Sequence, residues 1–368
     1  MYHFIAKREL TNLKSAGIVK SNNRHERPGV CRGRRGKEPT MAKTVRMSDI
    51  AKRLGVSTVS VSKGLAGKDG VSEELRARIL AAAQEMGYQM PARAQQHSGG
   101  KSIGIVVADR FFNENAFYYS LYRCVLNCAA AADLSVLMEI VFPQAEKNCT
   151  MPTFLVNHKV DGLIFMGEID RRYLAAAIQH GLPFMLLDFY DDAIAADCVL
   201  SDNTSGSYMI TEHLIETGRR NIAFVGSVLS TSSIMDRYLG YVKALMRAKL
   251  PVRPEWLIED RDSRGIFIPI TLPIEMPDAF VCNCDEVAFN VVELLKRRGY
   301  RVPQDVAVTG YDDFRYSTIC SPPLTTHRVD VDEMARTVVA QLCRKMSHKQ
   351  PLAPTVVIPG AFVRREST

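Results

Sequence analysis

One run near the front of this chain has the residue types and spacing to contact a polymer: Met47-Ser-Asp-Ile-Ala-Lys-Arg-Leu-Gly-Val-Ser57-Thr-Val-Ser-Val-Ser-Lys63. Ser48 is expected to cap a first helix in which Ile50, Ala51 and Leu54 face inward, Gly55 makes the turn, and Ser57 caps a second helix to about Leu65. A small Ala51 lets the helices cross closely, and Val56 plugs a miniature core. The outer face then carries Thr58, Val59, Ser60, Ser62 and Lys63, and with Ser48 and Ser57 at the two helix starts these are the head's candidate DNA contacts. In a helix laid in a DNA major groove these positions, nearest its N-terminus, meet base edges or phosphates, with Val59 restricted to apolar contact such as a thymine methyl. Amphipathic helix pairs of other function share this pattern, so the run alone leaves a purely structural reading open.

The surrounding pattern supplies a compact frame. Ser72 heads a third helix whose Glu73 and Glu74 suit its positive end, whose expected stripe is Leu75, Ile79, Leu80, Ala83 and Met86, and which Gly87 ends. Residues 1–41 lack periodicity and read as a disordered arm or a mis-assigned start; 42–90 read as an all-α trihelical DNA-binding unit, and 91–101 as a polar connector or hinge. From residue 102 apolar runs alternate with helical patterns. Strands are expected at 102–108, 134–140, 162–165, 183–188, 222–225, 279–282 and 306–309, with helices near 117–132, 171–180, 204–217, 233–248, 286–298 and 331–346. Such alternation implies parallel sheets covered by helices, and more than 260 residues of it imply two lobes. Ligands in such sheets bind beyond the carboxyl ends of strands.

Charge has the same division. Residues 1–40 hold ten Lys/Arg against three Asp/Glu, residues 41–101 ten against five, and the remainder 27 against 32, for a net +7. A basic front on an acidic body suits a polyanion reader joined to a sensor, although a solvated basic tail would look similar. No apolar run approaches the about 18–20 residues of a membrane span, and Met1–Leu10 lacks a signal-peptide core, so a cytoplasmic protein is expected. The nine scattered cysteines fit reduced thiols, and the lone Cys282-x-Cys284 lacks the second pair a zinc site needs. There is no Walker-type phosphate loop, His-Glu-x-x-His or nucleophile elbow. Neither enzyme chemistry, cofactor nor metal is expected.

Several motifs carry a resemblance. Ser48-Asp-Ile-Ala, Gly55-Val-Ser, Val61-Ser-Lys, Val71-Ser-Glu-Glu and Met86-Gly-Tyr are followed, in order, by Val160-Asp-Gly-Leu-Ile, Asp202-Asn-Thr-Ser-Gly, His213-Leu-Ile-Glu-Thr-Gly, Asn221-Ile-Ala-Phe-Val-Gly, Arg237-Tyr-Leu-Gly-Tyr, Arg301 through Asp313, and Pro322-Pro-Leu-Thr-Thr. From Lys43 to the last residue the chain resembles the LacI/GalR repressors. The resemblance implies a helix-turn-helix head, a hinge, and a multidomain fold completed by a two-lobed α/β periplasmic-binding-protein-like core that the chain crosses three times. The N-lobe is expected at about 102–201 plus 312–345 and the C-lobe at about 202–311 plus 346–368. It further implies a homodimer that binds double-stranded operator DNA and responds allosterically to a small-molecule effector, expected to be a carbohydrate. A sugar-binding protein with a weakened DNA head is the alternative.

Position by position, the resemblance puts Asp188, Arg237 and Asp285 at the effector. Carboxylates can accept two hydroxyls at once and a guanidinium donates to hydroxyl or ring oxygen. Asp188 and Asp285 each follow an expected strand, although Asp285 could equally cap the next helix. Phe117 and Tyr118 are either an apolar shelf for a pyranose or core residues. Two departures stand out. The family's hinge reads Pro-Asn-x-x-Ala-Arg-x-Leu with a minor-groove leucine wedge, where this chain has Pro91-Ala-Arg-Ala-Gln-Gln-His-Ser98, leaving Arg93 and Gln96 to follow the DNA backbone. The family's Ala-Asn-Asp is here Cys282-Asn-Cys-Asp285, with the asparagine displaced by one.

Overall fold

The computed structural model of the protein describes residues 45–65, 70–86, 88, 101–112, 116–348 and 355–368. The N-terminal arm, most of the connector, and with it Arg93 and Gln96, lie outside the described residues. Three helices form the head, α1 (Met47–Leu54), α2 (Thr58–Leu65) and α3 (Glu73–Glu85). Ile50, Ala51, Val61, Ile79, Ala82 and Ala83 are buried together between them. Gly64 lies so close to α3 that an added Cβ would stand 2.6 Å from Ile79 Cδ1. Gly55 turns the chain in the left-handed region at φ 67°, Ser57 Oγ accepts the Ser60 amide at 3.0 Å, and Ser72 caps α3. Two expectations fail here. Ser48 is not the cap: α1 begins at Met47 with Arg46 at the cap position, and the Asp49 carboxylate accepts the Arg46 amide at 2.9 Å. Leu80 is half-exposed because the buried stripe of α3 runs through Ala82 and Ala83.

Among the described residues twelve strands, β1 (Ser102–Ala108), β2 (Ser135–Val141), β3 (Gly162–Met166), β4 (Phe184–Leu187), β5 (Cys198–Ser201), β6 (Ile222–Val225), β7 (Leu257–Ile258), β8 (Ala279–Cys282), β9 (Ala307–Thr309), β10 (Thr326–Arg328), β11 (Val356–Ile358) and β12 (Ala361–Val363), build the core. The first lobe holds a parallel sheet in the order β11-β5-β4-β3-β1-β2, and the second a parallel sheet in the order β7-β6-β8-β9. A short antiparallel pair, β10 with β12, stands beside them. Central strands are buried on both faces, which is why they read as unbroken apolar runs. The helices expected at 171 and 331 begin there, and the other four begin one residue earlier than expected, as where Asp202 accepts the Ser205 amide and Thr231 the Ile234 amide.

The lobe boundaries differ from those expected. The helix Arg315–Ile319 packs on the helix Asp285–Arg297, and Cys320 and Leu324 lie in the second lobe's core, so the stretch after residue 312 stays in that lobe. Only with the helix Val331–His348, which packs against the helix Ala116–Ala131 and β3–β5, does the chain return to the first. β11 then pairs with β5 in the first sheet, contrary to the placement of 346–368 in the C-lobe, and the last residues return to the second lobe, where Val308 donates to the Ser367 carbonyl at 3.0 Å. The three crossings thus fall after Ser201, near Val329 and after Ile358.

Candidate effector cleft and DNA-reading face

Sequence produces the cleft by ending parallel strands on polar residues. Asp188 follows β4 and sits at φ 68°, a left-handed conformation costly for a residue with a side chain. Asn283, Cys284 and Asp285 follow β8; Tyr311 and Asp312 follow β9, and Asp312 too has positive φ, at 102°. Arg237 arrives from the helix Ser232–Arg247. All but one of these residues line one chamber with Phe117 and Tyr118, Tyr311 being the exception.

Arg237 is its organising charge. It is buried, donates from Nε to Asn203 Oδ1 at 2.8 Å and from Nη1 to the Asn283 carbonyl at 2.5 Å, and its Nη2 lies 3.2 Å from Asp312 Oδ1. Its guanidinium carbon stands 3.9 Å over the Tyr311 ring. Across the chamber, Tyr118 donates its hydroxyl to Asp188 Oδ2 at 2.8 Å, while the other Asp188 oxygen is buried without a hydrogen-bond partner. Burial pushes the Asp188 carboxyl up to about 6, with Arg237 and the Tyr118 hydroxyl only partly opposing it. Burial raises Asp312 to about 7, the Arg237 charge again opposing and neighbouring Asp188 adding to the rise.

The expected site residues fare differently. Asp188 and Arg237 share the chamber as a complementary pair. Phe117 and Tyr118 are both core and lining: each is 6% exposed, and Phe117 meets Tyr118 and Phe314 edge-on. Asp285 is not the helix cap, a place taken by Cys284, and its two oxygens accept from Thr326 Oγ1 at 2.7 Å and the Phe314 amide at 2.8 Å. It anchors the loop that delivers Asp312 and also lines the chamber. Asp312, Arg261 and Asn203 were missed; the strand-end rule applied to β9 would have found Asp312. The displaced Asn283 is spent internally, donating to the Val225 carbonyl and to Asp260.

The lobes are closed on this chamber. Glu168 of the first accepts the Ser232 amide of the second at 2.7 Å, and the Tyr190 hydroxyl donates to Asp236 at 3.1 Å. The free volume inside is about 60 Å³, well below the roughly 300 Å³ at the lower end of small-molecule sites, so occupancy requires the lobes to part. On the head, Thr58, Val59, Ser62 and Lys63 are exposed along one side of α2, with Val59 63% exposed, while Ser60 turns toward Ser57.

A helix-turn-helix head carrying an exposed face of small polar residues, joined to two lobes closed on a polar cleft, defines a ligand-responsive DNA-binding regulator. Residues 46–90 match the lacI family of bacterial regulatory proteins, and residues 211–368 match a periplasmic binding protein-like domain. The ribose operon repressor of Haemophilus influenzae is 28% identical, over 87% of this chain and 98% of its own. The transcriptional repressor PurR of Actinobacillus pleuropneumoniae is 30% identical, over 76% and 84%. Among solved structures, the lac repressor dimer bound to operator and an anti-inducer superposes with a TM-score of 0.62 at 25% identity, covering 88% of this chain and 99% of that one. A transcriptional regulator CelR in complex with cellobiose gives 0.65 at 22%, covering 88% and 100%. The chain belongs to the LacI family: it is a DNA-binding transcriptional repressor with a small-molecule effector.

Proposed function

We propose that the effector is a carbohydrate, held between Asp188, Arg237 and Asp312 over Phe117 and Tyr118, and that a homodimer of this chain reads a two-fold symmetric operator with Thr58, Val59, Ser62 and Lys63. The observation that carries the effector reading is Asp188, whose second oxygen is buried and unpartnered beside a guanidinium. A buried acceptor left open costs about 1–3 kcal/mol, and a hydroxyl donor repays it. Relatives named for ribose and cellobiose support the same class of ligand. For the dimer, the relevant surface is the helix pair Asn203–Glu216 and Ser232–Arg247, which leaves Met209, Leu239 and Met246 exposed.

Effector binding favours one separation of the lobes and so changes the spacing of two heads, which is linkage between two sites. The test is selection of duplex DNA by the purified full chain near physiological salt, with and without a carbohydrate library. A symmetric site whose retention changes with one sugar supports the reading. No preferred sequence, with sugar still bound, would leave a carbohydrate-binding protein with a weakened head.

A further inference from the structure

Beside the inner chamber lies a second, larger space. Between the lobes' outer faces lies a vestibule of about 1610 Å³. Arg261 is the single residue lining both spaces among the described residues. It is tightly held on the second lobe. Its backbone amide and carbonyl both bond to Ser227 Oγ at 2.9 Å, its Nε donates to Asp260 at 3.0 Å, and an Nη donates to Asn283 Oδ1 at 3.2 Å. Its guanidinium stacks on Phe267, 4.7 Å from the ring centre, across a hairpin closed by Asp262 and Ile266. At the tip, Gly265 approaches Arg110 of the opposite lobe so closely that a Cβ would lie 3.1 Å from its Cδ.

The vestibule's chemistry narrows what would enter it. Its arginines are already paired, Arg110 with Glu146, Arg171 with Asp191, Arg172 with Asp170, Arg261 with Asp260 and Arg264 with Asp262, and the remaining cation, Lys147, shares the lining with Asp109, Glu168 and Glu259. Such a surface offers many hydrogen-bond donors and acceptors but no surplus positive charge to draw an anion. The inner chamber holds Asp188, Asp285, Glu286 and Asp312 against Arg237 and Arg261, again no anion trap. Against this polar ground Phe267 is 41% and Ile266 49% exposed, and both face the vestibule. A half-exposed aromatic ring beside paired donors and acceptors suits the apolar face and hydroxyl rim of a sugar ring.

We infer that Arg261 is the threshold of the effector site and, with Phe267, reads a second unit of an uncharged oligosaccharide or glycoside whose first ring occupies the inner chamber. The inference rests on the carbohydrate reading above. A ligand gripped by Asp188 and Arg237 that outgrows the chamber extends past Arg261, where its second ring stacks on Phe267 and takes hydroxyl contacts from the guanidinium.

The test is calorimetric titration of the full chain with common pentoses and hexoses, their α- and β-linked disaccharides, and hexose 6-phosphates. The same titrations are run on Phe267→Ala and Arg261→Ala. One disaccharide should bind at least about tenfold more tightly than its free component ring, equivalent to about 1.4 kcal/mol. Each substitution should cost the disaccharide at least about tenfold more than it costs the single ring. Because removing Arg261 strands the buried Asp260, Phe267→Ala carries the test if Arg261→Ala fails to fold. Tightest binding of a free monosaccharide or of a hexose phosphate overturns the inference while sparing the carbohydrate reading, as does an equal loss for one-ring and two-ring ligands in Phe267→Ala. Absence of any carbohydrate binding overturns both.

Discussion

At the scale of single residues, the cleft holds two carboxylates whose ordinary protonation range has moved into the neutral region. Free aspartate titrates near ~3.9, whereas burial brings Asp188 to about 6 and Asp312 to about 7. A carboxyl raised in the folded state binds protons more tightly there than when unfolded. Its stabilising contribution is therefore complete below the unfolded value and is lost as pH climbs through about 6 to 7. The ligand-free protein should melt at a lower temperature at pH 8 than at pH 5.5, and Asp188→Asn should flatten that slope in a calorimetric melt. A slope identical to wild type would remove Asp188 from the linkage. Effector affinity should run the other way, rising as the carboxylates ionise to accept hydroxyls. Asp188→Asn should weaken binding by about 10- to 100-fold, the loss of a hydrogen bond to a charged acceptor worth about 1.5–3 kcal/mol, without lowering the melting temperature at pH 8. A residue that fails to stabilise its own fold while holding a strained backbone is the usual mark of function.

At the scale of elements, α2 and the helix Ser232–Arg247 illustrate two uses of small residues. On α2 they keep the outer face flat. Thr58→Ala and Val59→Ala should leave the head's melting unchanged, since neither side chain packs, but relax operator preference at individual base pairs by about 1–3 kcal/mol. Competition binding against single-base variants measures this, and unaltered preference in both would displace the reading face. On Ser232–Arg247 the small residue lets two helices touch. A Cβ on Gly240 would stand 2.2 Å from the Thr204 carbonyl oxygen, a backbone atom that cannot rotate away. Gly240→Val should cost the core about 3 kcal/mol or more by forcing Asn203–Glu216 and Ser232–Arg247 apart. Denaturant titration would reveal it as a lower midpoint. Since Asn203 begins one of those helices and Arg237 belongs to the other, effector affinity should fall as well.

At the scale of the whole molecule, the function depends on geometry that no single lobe contains. In the proposed homodimer head spacing depends on association, so Met246→Glu combined with Leu239→Glu, placed on exposed positions of one helix, should shift sedimentation from the proposed dimer to monomer and reduce operator affinity by several orders of magnitude. A variant that stays dimeric would move the interface elsewhere. Local information settled much of the architecture. The 3.6-residue spacing of Ile50, Leu54, Val61 and Ile79, with Gly55, Ser57 and Ser72 between them, was enough to specify the head, because a short helical unit is governed by caps and near neighbours. Unbroken apolar runs marked the central strands for the same reason: both faces are covered. β5, β7, β10, β11 and β12 were not legible, since two to four residues carry no period and their pairing comes from partners distant in sequence, such as β11 on β5. Asp188 and Arg237 could be placed in the cleft by strand ends and resemblance. Only the folded chain, however, gave Asp285 and Asp312 different partners: both carboxylates follow strands and line the chamber, but the first accepts from Phe314 and Thr326 while the second lies against Arg237. Hydrogen-bond partners are set by where three crossings return the backbone, and that is a property of the tertiary structure alone.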